Sequence, residues 1–141
     1  MRQPCIAIAA ALMLTAGAAG AEGRASLLTP DVQMAVGQGI AACHAALTGG
    51  PPVARALERQ GFAPWRRGHR MKIDNPLIFA GDSSVSVEVD RRGTCRVRAV
   101  PMRLSDLPVL QAVTARSLGG SASGLNLRFV GVRDGFEVAM D

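Results

Sequence analysis

Between Ser84 and Ala99 the chain alternates twice, and this constrains its fold more than any other feature of the sequence. Val85, Val87 and Val89 are separated by Ser86 and Glu88; beyond Arg91-Arg92-Gly93, Cys95, Val97 and Ala99 are separated by Arg96 and Arg98. Successive side chains on a strand point to opposite faces, so each run has one apolar and one polar face. A three-residue loop with Gly93 in the left-handed conformation closes the two runs into a hairpin. That register sets Val89 opposite Cys95, Val87 opposite Val97 and Val85 opposite Ala99. On the polar face it sets Glu88 opposite Arg96, a favourable cross-strand pair. A sheet with one apolar face needs a second layer to cover it.

The covering layer is legible on either side of the hairpin. Thr29-Pro30-Asp31 combines a capping hydroxyl, a proline suited to the first helical position and an acid near the positive end of the helix. Val32, Val36, Ile40, Cys43 and Leu47 then recur at helical spacing, and Gly49-Gly50 ends the run. Pro51-Pro52 opens a shorter helix with Val53 and Leu57 facing inward, closed at Gly61 with Phe62 folded back. Ser105-Asp106 starts a third helix, whose inner face is Leu107, Leu110, Val113 and Leu118.

The C-terminal end predicts a second hairpin. Leu125, Leu127 and Phe129 alternate, Asp134-Gly135 makes the turn, and Phe136, Val138 and Met140 alternate back. A two-residue turn there sets Arg128 opposite Asp141. Between Ala63 and Asp82 the pattern is weak: "WRRGHRMKIDNP" reads as a loop, and "PLIFA" as a possible extra strand paired to Val85–Val89 across Gly81-Asp82. The expected architecture is α+β, an antiparallel sheet of about four strands with helices packed on one face, in the order α-α-β-β-α-β-β. With one Trp, no Tyr and four Phe, the core has to be built from Val, Leu, Ile and Ala.

The first 21 residues read as an export signal. Arg2 precedes an apolar run from Cys5 to Ala16 that is too short to span a bilayer, and Ala19-Gly20-Ala21 suits signal peptidase. Residues 22–141 are then a single domain without a transmembrane segment, periplasmic or secreted. Its remaining cysteines, Cys43 and Cys95, are expected to form one disulfide. Each falls on the apolar face of its own element.

Several patterns suggest chemistry and fail on their context. Gly37-Gln38-Gly39-Ile40-Ala41-Ala42 matches a dinucleotide fingerprint, but the residues before it carry helix-start signals rather than a strand. Cys43 and His44 are neighbours on a helix, about 100° apart, so His44 is badly placed to activate the thiol. Cys43, Cys95, His44 and His69 lack the short spacings of a zinc set. "GGSASG" misses the hydrolase elbow at Ser123. No catalytic residue, metal site or cofactor is expected.

The densest charge is "WRRGHRMK": Arg66, Arg67, Arg70 and Lys72, with Trp65 and His69 among them. Arginine beside an aromatic ring grips phosphate, lipid headgroups or sugar acids, and the formal net charge of the chain is +5. Arg96 and Arg98 extend this cluster if the loop folds over the central hairpin. A solvated loop explains the same residues without a ligand.

Cys43 on the first helix, "LERQGF" closing the second and "GTCRVRAV" on a strand together resemble small exported α+β proteins of Gram-negative bacteria that carry no assigned activity. The resemblance implies the disulfide and the compartment, and supplies no catalytic residue. The expectation is a small exported, disulfide-stapled binding or accessory protein without catalytic activity. Its partner would be an anionic envelope component or another periplasmic protein, and not nucleic acid. Two alternatives stand beside it. One is a cell-envelope hydrolase using His69 with Asp74 or Asp82, the other a protein inhibitor acting through residues 65–72.

Overall fold

The computed structural model describes residues 25–79, 81–120 and 124–141; the expected leader lies outside them. Helix α1 (Pro30–Leu47) is followed by α2 (Val53–Arg59), β1 (Ala63–Trp65), β2 (Gly68–Asp74), β3 (Asp82–Val89) and β4 (Cys95–Val100). A single 3-10 turn (Leu104–Asp106) leads into α3 (Leu107–Leu118), and β5 (Leu127–Val132) and β6 (Gly135–Met140) complete the chain. The six strands form one antiparallel sheet in the order β1-β2-β3-β4-β6-β5. The fold is α+β.

The helices start and stop where the local chemistry requires. The Thr29 side chain accepts a hydrogen bond from the Val32 amide at the head of α1. At the end of α2, Phe62 donates to the Leu57 carbonyl (3.0 Å) and Gly61 to that of Glu58 (3.2 Å), so Phe62 turns back into the core. Val32, Val36, Ile40 and Cys43 of α1 are buried in the core, as are Leu110, Val113 and Leu118 of α3. Helix α1 lies across β3 and β4, and α3 packs beside it. Gly39 sits at the crossing: a Cβ there would lie 2.9 Å from Val87 Cγ2 and 3.1 Å from Val97 Cγ1. The paired glycines of the dinucleotide-like pattern thus let a helix approach its neighbours, with Gly37 facing Ser117 of α3.

The central hairpin has the expected register, Val85↔Ala99, Val87↔Val97, Glu88↔Arg96 and Val89↔Cys95, with Gly93 at φ +86°. Cys43 and Cys95 form a disulfide, their Cα atoms 5.8 Å apart, which ties α1 to β4.

Two expectations are corrected. Among the described residues the sheet has six strands rather than about four, because the stretch read as a loop forms a hairpin: Trp65 pairs with Gly68 across a two-residue turn, Arg66-Arg67. Strand β2 then pairs with β3 along its whole length. Residues 76–79 of "PLIFA" form a turn and not a strand; Ala80 lies outside the described residues. Buried Asn75 organises it, its Oδ1 accepting from the Leu77 amide (3.1 Å) and its Nδ2 donating to Leu27 O and Ser83 Oγ (both 2.9 Å).

The terminal hairpin is also displaced. Val132 pairs with Gly135, so Arg133-Asp134 is the turn and Arg128 lies opposite Ala139 rather than Asp141. The shift is two residues, so the faces are preserved. Gly135 is held out of the turn by a close approach, since a Cβ there would collide with the Met102 side chain.

Candidate functional site

Among the described residues the helices cover one face of the sheet and nothing covers the other. Pairing register assigns residues to the open face. Trp65 lies opposite Gly68, Arg70 opposite Ser86, Lys72 opposite Ser84 and Glu88 opposite Arg96; Arg98 lies opposite both Ser86 and Glu137. Of the residues singled out from the sequence, Trp65, Arg66, Arg67, Arg70, Lys72, Arg96 and Arg98 therefore gather on this face and its rim. Cys43 and Cys95 are in the buried core.

Trp65 holds two of the arginines. The guanidinium carbons of Arg66 and Arg70 are each 4.5 Å from the centre of its ring, within range of a cation–π contact. Arg66 adopts φ +54° at the hairpin tip. Gly68 lets the hairpin close onto β3, because a Cβ at this position would overlap the Val87 carbonyl.

Two adjoining grooves run over the face. The first, of about 500 Å³, lies between Trp65, Arg66 and Arg67 on one side and Arg98, Val100 and Glu137 on the other, with Ser84, Ser86 and Glu88 as part of its lining. The second, of about 740 Å³, is bounded by Arg67, Asp90–Arg92, Arg128 and Asp141. Arg67, Glu88 and Arg96 line both.

Beneath them Glu137, only 5% exposed, accepts hydrogen bonds from Arg96 (Nη1, 3.0 Å) and Arg98 (Nη2, 3.1 Å). It fixes two guanidiniums whose side chains remain 36% and 44% exposed. Arg96 also reaches Asp90 (3.3 Å), and Arg128 reaches Asp141 (3.5 Å). Among the described residues, Arg66, Arg67, Arg70, Lys72, Arg91 and Arg92 form no ion pair with a described acid. The face thus presents unneutralised cations around a few fixed, partly neutralised ones. It can bind a polyanion, and among the described residues it brings no nucleophile beside a base.

His69 does not join this group. It lies on the helix-covered face, its Nε2 3.5 Å from Glu58 Oε2 of α2, and it is half-buried. Asp74 and Asp82 lie opposite one another at the far end of β2 and β3. Asp74 and Asp82, the carboxylates expected to partner His69 in a hydrolase, are thus on the other side of the sheet. Among the described residues no cluster of three or more His, Cys, Asp or Glu side chains is arranged to hold a metal ion. Ser121–Ser123 of the elbow-like segment lie outside the described residues.

Glu137 is the residue that reading the sequence missed. Its place between Phe136 and Val138 marks it as the polar-face residue of a strand. What was not legible is that β6, and not β5, lies beside β4.

Asp90 anchors the rim of the second groove. Partial burial pushes its carboxyl up. The amides of Thr94 (3.0 Å) and Arg92 (2.8 Å) and the Arg96 guanidinium outweigh this and hold it below the ordinary value of 3.8. A carboxyl depressed in the fold adds stability above its unfolded value and loses it as pH falls through the folded one. An acid titration of Asp90→Asn should therefore show a shallower loss of stability below about pH 4 than the parent. Identical slopes would mean that the turn does not depend on this charge.

Among the described residues no helix is long and apolar enough to cross a membrane. No family model, no curated protein and no solved structure matches the chain.

Proposed function

We propose that this chain is an exported, disulfide-stapled binding module without a catalytic step, and that it takes anionic cell-envelope material on the open face of its sheet. One observation carries the reading: the arginines of the Trp65–Lys72 hairpin and of β4, separate in sequence, line the same groove. Guanidiniums offer paired donors to phosphate and carboxylate, and two of them here are fixed in place by Glu137 before any ligand arrives. This spares side-chain freedom on binding, but Glu137 also cancels part of their charge, which is the larger effect at a face that binds by net charge.

The disulfide supports an oxidising compartment. Export itself rests on the leader-like residues 1–21, and likeness to small exported proteins of Gram-negative bacteria on the motifs quoted above. The alternatives have less support. A hydrolase would need His69 beside Asp74 or Asp82, and His69 instead meets Glu58. An inhibitor would need a loop standing clear of the domain, whereas Arg66-Arg67 is a two-residue turn whose neighbour Gly68 pairs with Glu88.

The test is retention on vesicles containing phosphatidylglycerol, compared with zwitterionic vesicles and with an anionic polysaccharide. Replacing Arg66, Arg67 and Arg70 together with Ser should weaken binding to the anionic surface about tenfold at low salt. It should leave the melting temperature unchanged. Equal retention of parent and variant on every anionic support would remove the hairpin from the site.

A further inference from the structure

We infer that β5 is a dimerisation edge, and that two copies of the chain join through it into one continuous antiparallel sheet. The two ends of the sheet differ. Strand β1 is three residues long and carries Pro64 at its centre, which blocks further pairing. Strand β5 is six residues long and contains neither proline nor lysine; its one charge, Arg128, lies toward the open face and pairs with Asp141. Among the described residues no strand pairs with its outer side. The helix layer reaches β1, β2, β3, β4 and β6, and β5 lies at its margin, with Leu127 and Phe129 only partly buried. Among the described residues nothing shields this partly exposed apolar edge, and such an edge is a template for another strand.

The backbone sets which groups point outward. Asn126 and Asp141 exchange both backbone hydrogen bonds, at 2.9 and 3.1 Å. Hydrogen-bonded and non-bonded pairs alternate along an antiparallel ladder. With Leu127↔Met140 and Phe129↔Val138, the amides and carbonyls of Leu127, Phe129 and Gly131 are directed away from β6. A second β5 related by a two-fold axis at Phe129 sets Phe129 opposite its own copy and Leu127 opposite Gly131. All the outward groups then meet outward groups, giving about six backbone hydrogen bonds. Like faces stay together, so the Phe129 rings meet on the helix side. Because β1 is blocked, the contact is between identical edges and closes at two copies. It also sets two open basic faces side by side; that consequence rests on the proposed function, whereas the pairing does not.

The experiment is sedimentation of the oxidised mature chain from about 10 μM to about 1 mM, with two variants. Phe129→Pro removes one outward donor, while the β6 ladder is carried by Arg128 and Val130. Gly131→Lys sets a charge against Leu127 of the other copy, and a Cβ at Gly131 meets nothing within 4 Å in the chain itself. The parent should sediment at twice the chain mass. Both variants should sediment as monomers and retain the parent's far-ultraviolet circular dichroism. A parent that stays monomeric to the highest concentration overturns the inference, and is the result expected if the edge serves a strand of a different protein. A dimer that survives both variants overturns it as well, because another surface would then hold the copies together.

Discussion

Reduction of Cys43–Cys95 should lower the unfolding free energy by about 4 kcal/mol, the chain-entropy value for closing a loop across 52 residues. For a domain of this size that is a large share of a total of about 5–15 kcal/mol. The position of the bridge makes the loss specific. Cys43 and Cys95 are 0% and 1% exposed, and they join α1 to β4 at the crossing where Gly39 brings the helix close to Val87 and Val97. The intervening chain includes α2, β1, β2 and β3, so opening the bridge releases the segment that carries the arginine hairpin. Paired denaturant titrations with and without reductant, and on Cys43→Ala with Cys95→Ala, would measure it. A loss below about 1 kcal/mol in both would mean that packing alone holds α1 on the sheet.

What could be read in advance depended on whether local pattern and final environment agreed. The central hairpin was fully legible because its apolar and polar faces gave the same register independently. The helices were legible because Thr29-Pro30-Asp31 and Ser105-Asp106 mark their starts locally, although the buried Asp106 carboxylate accepts from Ser26 and the Arg103 amide instead of capping α3. Strand β2 was hidden in plain view: His69, Met71 and Ile73 alternate with Arg70, Lys72 and Asp74, but the charge density of the stretch suggested a loop. Its charged residues face solvent on the uncovered side of the sheet, where strands tolerate them. The displaced turn of the terminal hairpin had a different cause. Gly135 looked like a turn residue and proved to be a contact residue, packed on Met102, whose amide donates to the Asp134 carbonyl at 3.1 Å. A contact between residues 33 positions apart leaves no local trace.

The same limitation concealed the centre of the candidate site. Arg96, Arg98 and the 65–72 cluster were readable as charge, but the acid organising two of them comes from β6, and strand order is not written in periodicity. Glu137→Gln tests that organisation because stability and binding should move in opposite directions. The substitution keeps the shape of the side chain and removes the charge from a nearly buried carboxylate that accepts from two guanidiniums. Hydrogen bonds to charged groups contribute about 1.5–3 kcal/mol each, and exposure of the arginines screens part of this, so the fold should lose about 2 kcal/mol. The open face meanwhile gains one net positive charge and releases Arg96 and Arg98 to an incoming anion. Affinity for phosphatidylglycerol vesicles should therefore rise, by about fivefold at low salt, and the gain should fade as salt is added. If stability falls and affinity falls with it, Glu137 serves as a positioning residue whose hold on the two guanidiniums outweighs the charge it cancels. If neither changes, the groove is not where anions bind, and the Trp65 hairpin alone would account for any retention.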